Sequence, residues 1–154
     1  MARAAVESLD HTGDVGFTLS ARDLSALFEV AGTALVAELM ASPPRDPDPA
    51  SEAGAEGDTE LVLRADSLDR LLLRWLDELV YLVQTRGRVP VRATPRVTAP
   101  ALPHGAWRLE ARVRTARFDP DAHAWRTEVK GVTYHGLEVR RTARGWRARV
   151  ILDV

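Results

Sequence analysis

The alternation of apolar and polar positions predicts strands towards both ends of the chain and two helices between them. Residues 4–9 read as a short strand, and Val15, Phe17 and Leu19 then alternate with small or polar residues as far as Ala21. The same alternation returns after Val89 and predicts five further strands. These cover residues 89–99, 106–118, 127–133, 137–142 and 146–153.

Apolar residues at helical spacing predict a first helix from Leu24 to Met40. Asp23 can cap it, because a carboxylate accepts hydrogen bonds from the free N–H groups of the first turn. A second helix begins at Asp66 or Ser67 and is closed by Gly87. It carries a wide apolar stripe, in which Trp75 is expected to be an anchor of the core.

The segment between the helices, residues 43–58, has a different composition. It holds four prolines, two glycines and many acidic residues, with almost nothing to bury. We expect an exposed, mobile loop there, followed by a strand over residues 60–65. The element order is therefore β, β, α, β, α and then several β. It predicts an α+β fold with two helices packed on one face of a mainly antiparallel twisted β-sheet.

Composition narrows the class of protein without naming a function. The chain has 154 residues, of which 45% are hydrophobic and 28% charged, which suits a single globular domain spanning 1–154. No apolar run approaches the roughly 20 residues of a membrane helix, and the first residues lack a secretory h-region. We expect a cytoplasmic protein with no membrane partner. The absence of cysteine excludes thiolate metal sites and cysteine nucleophiles.

The charges are balanced in number but not in position. The formal net charge is −1, which argues against a globally basic nucleic-acid binder. Arginine dominates the basic residues, and Lys130 is the only lysine. Alternating arginines along strands are usually the solvated face of a half-covered sheet. The alternative interpretation is a local basic surface for RNA or an acidic partner.

Few residues could carry chemistry, and no phosphate-binding glycine motif, HExxH or GxSxG is present. The histidines match no zinc spacing. Asp14 stands in the early turn, and Asp153 is followed by Val154 at the end of a strand. If these groups met, their oxygen atoms would suit a hard cation such as Ca²⁺ or Mg²⁺. Spacing alone leaves open that the two aspartates are unrelated surface residues.

Four passages in this order resemble the archease family. They are the opening motif from Asp10 to Phe17, the second helix from Asp66 to Tyr81, the passage from Thr127 to Val139, and the ending from Trp146 to Val154. The sequences Val-Lys-Gly-Val-Thr-Tyr-His and the final Asp-Val are the most discriminating parts. The resemblance covers essentially the whole chain.

The resemblance implies an accessory protein of an RtcB-type RNA ligase that works in tRNA splicing or RNA repair. Such a protein promotes guanylylation of the ligase and its multiple turnover, and is not itself an enzyme. The implied metal ligands are Asp14, Asp153 and the carboxylate of Val154, with calcium as the expected ion and magnesium or manganese as alternatives. Lys130, His11 and His135 are further candidates for contact with the partner. We expect such a protein to contact RNA only through the ligase.

Two other functions remain open from the residues themselves. An RNA-binding or chaperone-like module could use the arginine-rich strands, and it would bind RNA in a strongly salt-dependent way. A metal-dependent hydrolase could use the aspartates with His123 or His135, but the chain has no recognisable pair of base and nucleophile.

Overall fold

The computed structural model describes residues 5–11, 14–46 and 57–154, which form seven strands and two helices. In chain order the elements are β1 (Ala5–His11), β2 (Asp14–Ala21), α1 (Leu24–Leu39), β3 (Asp58–Ala65), α2 (Leu68–Gln84), β4 (Arg88–Thr98), β5 (Trp107–Arg117), β6 (Gly131–Thr142) and β7 (Gly145–Asp153). In these residues no helix combines the length and apolar character that crossing a membrane requires.

The strands form two antiparallel sheets. The first has the order β1-β2-β7-β6 and joins the two ends of the chain, while the second has the order β3-β5-β4. This confirms the predicted α+β class and the antiparallel pairing. The strands divide between two sheets because β3, β4 and β5 pair only with one another within the described residues.

Helix α1 lies against both sheets. It contacts β2 and β7 of the first sheet and β4 of the second, so most of its surface is buried. The Asp23 carboxylate accepts a 2.9 Å hydrogen bond from the backbone N–H of Ala26, which confirms the predicted N-cap. The helix ends at Leu39, in agreement with the prolines that follow.

Helix α2 carries the most amphipathic pattern of the chain and packs its apolar stripe into the same core. Ser67 is its N-cap, and its hydroxyl accepts a hydrogen bond from Arg70 N–H. Trp75 is fully buried, and its indole N–H donates a 2.9 Å hydrogen bond to the Phe28 carbonyl of α1. The indole therefore fixes the two helices to each other while it fills the core.

The prediction of separate strands over 127–133 and 137–142 was wrong. Residues 131–142 form one strand, β6, and residues 127–130 are not part of any strand. The register with β7 is irregular between Thr133 and Glu138, where Gly136 has a φ of 78°. This irregularity interrupts the alternation of apolar and polar positions, so the sequence pattern reads as two strands.

The predicted loop over 43–58 is anchored at both ends. The Arg114 guanidinium lies 3.1 Å from the Asp46 carboxylate and 3.7 Å from that of Asp58. The Gly57 carbonyl accepts hydrogen bonds from both the backbone N–H and the hydroxyl of Thr115. Asp58 already belongs to β3, and residues 47–56 lie outside the described residues. The prediction of mobility therefore falls mainly on a part of the chain that the structure does not describe.

Candidate metal centre

The pairing of β2 with β7 brings the two predicted aspartates to the same end of the first sheet. The register sets Val15 opposite Leu152 in an antiparallel ladder. The next position along each strand is Asp14 on β2 and Asp153 on β7. Opposite residues in such a ladder have Cα atoms about 4.5–5.5 Å apart. The backbones of Asp14 and Asp153 are therefore neighbours although 138 residues of sequence separate them.

The neighbouring strand β6 completes this end of the sheet from the other side of β7. Gly131 pairs with Asp153, and the backbone N–H of Lys130 donates a 2.7 Å hydrogen bond to the Asp153 carbonyl. The side chains of both Lys130 and Asp153 are exposed. Lys130, the only lysine of the chain, therefore lies next to the candidate centre.

Gly16 allows β2 to approach β7 closely next to Asp14. A Cβ atom at this position would collide with the Val150 carbonyl oxygen and would lie 3.1 Å from Cδ1 of Ile151. Any side chain would therefore push the two strands apart. This requirement explains the glycine in the opening motif.

The structure describes the other predicted site residues only in part. Val154 comes directly after β7 and is 39% exposed. His11 pairs through its backbone with Asp14, but the side chains of His11 and Asp14 lie outside the described residues. Among the side chains that are described, no group of three histidine, aspartate or glutamate residues is close enough to hold a metal ion. The ligand set of Asp14, Asp153 and Val154 therefore stays a prediction.

Two of the histidines take part in local hydrogen bonds. His135 is exposed in the irregular part of β6, where its carbonyl accepts a 2.9 Å hydrogen bond from the Thr133 hydroxyl. His123 accepts a hydrogen bond at Nδ1 from the backbone N–H of Asp119, which gives it a role in a local turn. This contact uses one ring nitrogen of His123 for structure and weakens the hydrolase alternative.

The comparisons with known proteins identify the family of the chain. The model of the Archease protein family matches residues 7–154, which include β2 and β7 with the two aspartates. The chain belongs to the archease family.

Relatives of similar length support the assignment to the archeases. The chain is 31% identical over 150 residues to Protein archease of Methanosarcina barkeri, with 96% of this chain and 94% of that protein covered. It is 29% identical over 148 residues to Protein archease of Methanosarcina mazei, with the same coverage of both chains. The solution structure of protein 1598 of Methanobacterium thermoautotrophicum is 26% identical, with a TM-score of 0.69 over 97% of this chain and 98% of that one.

A cleft beside the candidate centre was not anticipated from the sequence. It has a volume of about 570 Å³ and is lined by Gln84, Trp125, Glu128, Val129 and Lys130. Trp125 is 48% exposed and packs against Phe118, with the rings tilted by 37° and their centroids 4.6 Å apart. The Gln84 amide donates a hydrogen bond to the Val129 carbonyl and so fixes the segment in front of β6. The signal in the sequence that could have indicated this cleft is Trp125, a large aromatic residue in a stretch of otherwise small and polar residues.

Proposed function

We propose that this archease is a non-catalytic activator of an RtcB-type RNA ligase, which it helps to guanylylate and to turn over repeatedly. The observation that carries the proposal is the register of β2 with β7, in a chain that belongs to the archease family. That register makes neighbours of Asp14 and Asp153, the two aspartates that the family resemblance implies as metal ligands. The activity supports the splicing of tRNA or the repair of broken RNA.

The donor chemistry of this end of the sheet fits a hard divalent cation. Asp14, Asp153 and the main-chain oxygen atoms of Val154 offer only oxygen ligands, which calcium, magnesium and manganese prefer. Two carboxylates on adjacent strands repel each other, and a cation between them removes that repulsion. When bound, the ion supplies positive charge at the edge of the protein that meets the ligase. Calcium is the ion we expect here, with magnesium or manganese as alternatives.

The residues of the chain hold this edge in a fixed position for the ligase. Asp153 lies on β7, an inner strand of the first sheet, where Gly131 of β6 pairs with it and β2 pairs with the preceding Leu152. Lys130 is hydrogen-bonded to it through the main chain and presents an exposed ammonium group at the same edge. Guanylyl transfer needs a triphosphate held in position, and an ordered set of charges next to it serves that purpose. In our proposal Lys130 faces phosphate groups at the ligase, and RNA is bound by the ligase.

The test is guanylylation of a cognate ligase by labelled GTP in the presence of Mn²⁺. The wild-type protein should raise the yield of ligase-GMP, and the variants Asp14→Asn and Asp153→Asn should not. Glu138→Gln is the matched control, because Glu138 is an exposed carboxylate on β6 of the same sheet. An unchanged yield with wild-type protein and an active ligase would overturn the proposal.

A second measurement examines the metal separately from the ligase. Isothermal titration of the purified protein with CaCl₂ should give one binding event for the wild type and for Glu138→Gln. The same titration should give none for Asp153→Asn, while circular dichroism confirms that this variant is folded. Binding of equal strength by Asp153→Asn would remove Asp153 from the ligand set.

A further inference from the structure

A cluster of arginines lies at the end of the first sheet that is remote from Asp153. The hairpin between β6 and β7 brings Arg140 directly opposite Arg147, and Arg144 lies in its turn. Gly145 packs so closely against the backbone of Ala21 and Arg22 that it has no room for a side chain. We call this group the hairpin arginines. Its members are Arg22, Arg140, Arg141, Arg144 and Arg147.

The hairpin arginines lack the acidic partners that arginines have elsewhere in the fold. All five are exposed, and no carboxylate of the described residues lies within 4.0 Å of their guanidinium groups. By contrast, Arg108, Arg112 and Arg114 of β5 each form an ion pair with a carboxylate. A general preference for arginine therefore accounts for neither the clustering nor the missing partners.

The placement of Arg140 against Arg147 works against stability. Like charges at directly opposite positions of an antiparallel pair destabilise a sheet. Their side chains lie on the outer face of the sheet, away from both helices, together with Arg149 and Thr18. These four residues also line one shallow cleft of about 280 Å³, together with Leu9, Ala148 and one carboxylate, that of Glu138, which lies opposite Arg149. An anionic ligand on this face would relieve the repulsion.

We propose that the hairpin arginines bind the phosphodiester backbone of an RNA strand directly. A guanidinium group is always charged and offers paired donors that match a phosphate. Successive phosphates along a strand would meet Arg147 and Arg140 and then the turn at Arg144. This inference is independent of the metal centre and goes beyond contact with RNA through the ligase.

The surroundings of the cluster favour RNA over an acidic protein. Protein interfaces have an apolar and aromatic centre. Near the turn of the hairpin, residues 140–147 expose no large apolar side chain, since Trp146 is half-buried and Arg141 lies over its ring at 5.8 Å. Contacts to phosphate need no such centre, because they depend on charge and counterion release. An arginine-rich surface that exposes no large apolar side chain near the hairpin turn is thus suited to a nucleic-acid backbone.

The hairpin arginines and the metal centre can be tested separately because they lie towards opposite ends of β7. Arg147 and Asp153 are six residues apart on this strand, about 20 Å at the rise of an extended chain. A change at one end therefore leaves the other end in place. Failure of one proposal can be told from failure of the other.

The experiment is fluorescence anisotropy of a labelled 20-nucleotide RNA with the purified full chain over a series of salt concentrations. The wild type should bind with a slope of log K against log salt of about −2 to −3.5, since each phosphate on a single strand contributes about −0.7. The variant Arg140→Gln/Arg144→Gln/Arg147→Gln should bind at least about tenfold more weakly at low salt, with a shallower slope. The control variant Arg64→Gln/Arg96→Gln/Arg117→Gln removes the same charge from the second sheet and should bind as the wild type does.

Three results would overturn the inference. They are no binding at about 50 mM salt, equal losses in the two triple variants, and binding of poly-glutamate as tight as binding of RNA. The last result would assign the surface to acidic proteins. The Arg140→Gln/Arg144→Gln/Arg147→Gln variant should still stimulate ligase guanylylation and bind CaCl₂, which shows that it is folded. Asp153→Asn should still bind RNA.

Discussion

The Asp69 carboxylate of α2 accepts a 2.8 Å hydrogen bond from the backbone N–H of Val139 on β6. Two turns further along the helix, Asp77 accepts from the backbone N–H of Val132 on the same strand. Strand β6 is at the edge of the first sheet, where no strand of the described residues lies beside such N–H groups. The two carboxylates thus cover an edge that would otherwise be open to pairing with another chain.

Removing the Asp69 acceptor should destabilise the fold. Asp69→Ala leaves the half-buried N–H of Val139 without its partner and should lower the free energy of unfolding by about 1–3 kcal/mol. Asp69→Asn retains an acceptor oxygen and should lose less. Urea denaturation followed by circular dichroism measures both variants. Equal losses would mean that the hydrogen bond to Val139 contributes nothing.

Asp77 should make stability depend on pH in the acidic range. Partial burial between α2 and β6 raises the pKa of Asp77 above its ordinary value of 3.8, and the N–H of Val132 opposes this only in part. A carboxyl with a raised pKa in the folded state contributes stability below 3.8 and loses it as pH rises through the folded pKa.

The comparison of wild type with Asp77→Asn isolates this contribution. The amide keeps an acceptor for Val132 but does not titrate. The unfolding free energy of the wild type relative to Asp77→Asn should therefore fall as pH rises from 3.8 to 7. Urea titrations at several pH values give this difference, and a flat difference would contradict the assigned pKa shift.

Gly16→Ala should disturb the pairing of β2 with β7. The added methyl group collides with the Val150 carbonyl, and relief of the overlap should cost about 1–3 kcal/mol of stability. Because Asp14 is two residues away, the variant should also weaken metal binding. Denaturation and calcium titration measure the two effects, and full retention of both would contradict the close approach. Gly131→Ala on β6 is the control, since a Cβ atom there meets nothing within 4 Å.

Calcium should stabilise the wild-type protein against heat. A ligand that binds only the folded state at about one hundred times its Kd adds about 2.7 kcal/mol. The melting temperature should rise with CaCl₂ and return after chelation with EDTA. Asp153→Asn should show no rise, whereas Glu138→Gln should behave as the wild type. A rise in Asp153→Asn would place the ion elsewhere.

Arg114→Ala should loosen both ends of the segment between α1 and β3. The Asp46 side chain is only 9% exposed, so the loss of Arg114 leaves a desolvated carboxylate and should cost about 3 kcal/mol. Limited trypsin digestion should cleave near Arg45 faster than in the wild type. Arg112→Ala is the control, because Arg112 forms an exposed ion pair with Glu60. Equal rates of cleavage in the two variants would contradict the anchoring role.

The sequence by itself determined the local elements of the protein. The helical spacing of Leu71, Leu72, Trp75 and Leu79 and the caps at Asp23 and Ser67 act within a few residues, so they can be read from neighbouring positions. The division into two sheets, the continuous β6 and the coverage of its edge by Asp69 and Asp77 depend on contacts between distant segments. Asp69 and Asp77 lie outside the apolar stripe of α2, and periodicity carries no information on which strand lies beside that part of a helix.

The same distinction holds for the functional sites. Asp14 and Asp153 could be proposed as ligands from the family resemblance, but only the antiparallel register makes their backbones neighbours. The sequence shows that arginine is abundant in the strands. That Arg140 and Arg147 have no acidic partner among the described residues follows from the hairpin and from what packs around it. Helices and strands are determined by residues that are close together in the sequence. Charges interact through space, so which charged groups meet on the surface of this protein is determined by its tertiary structure.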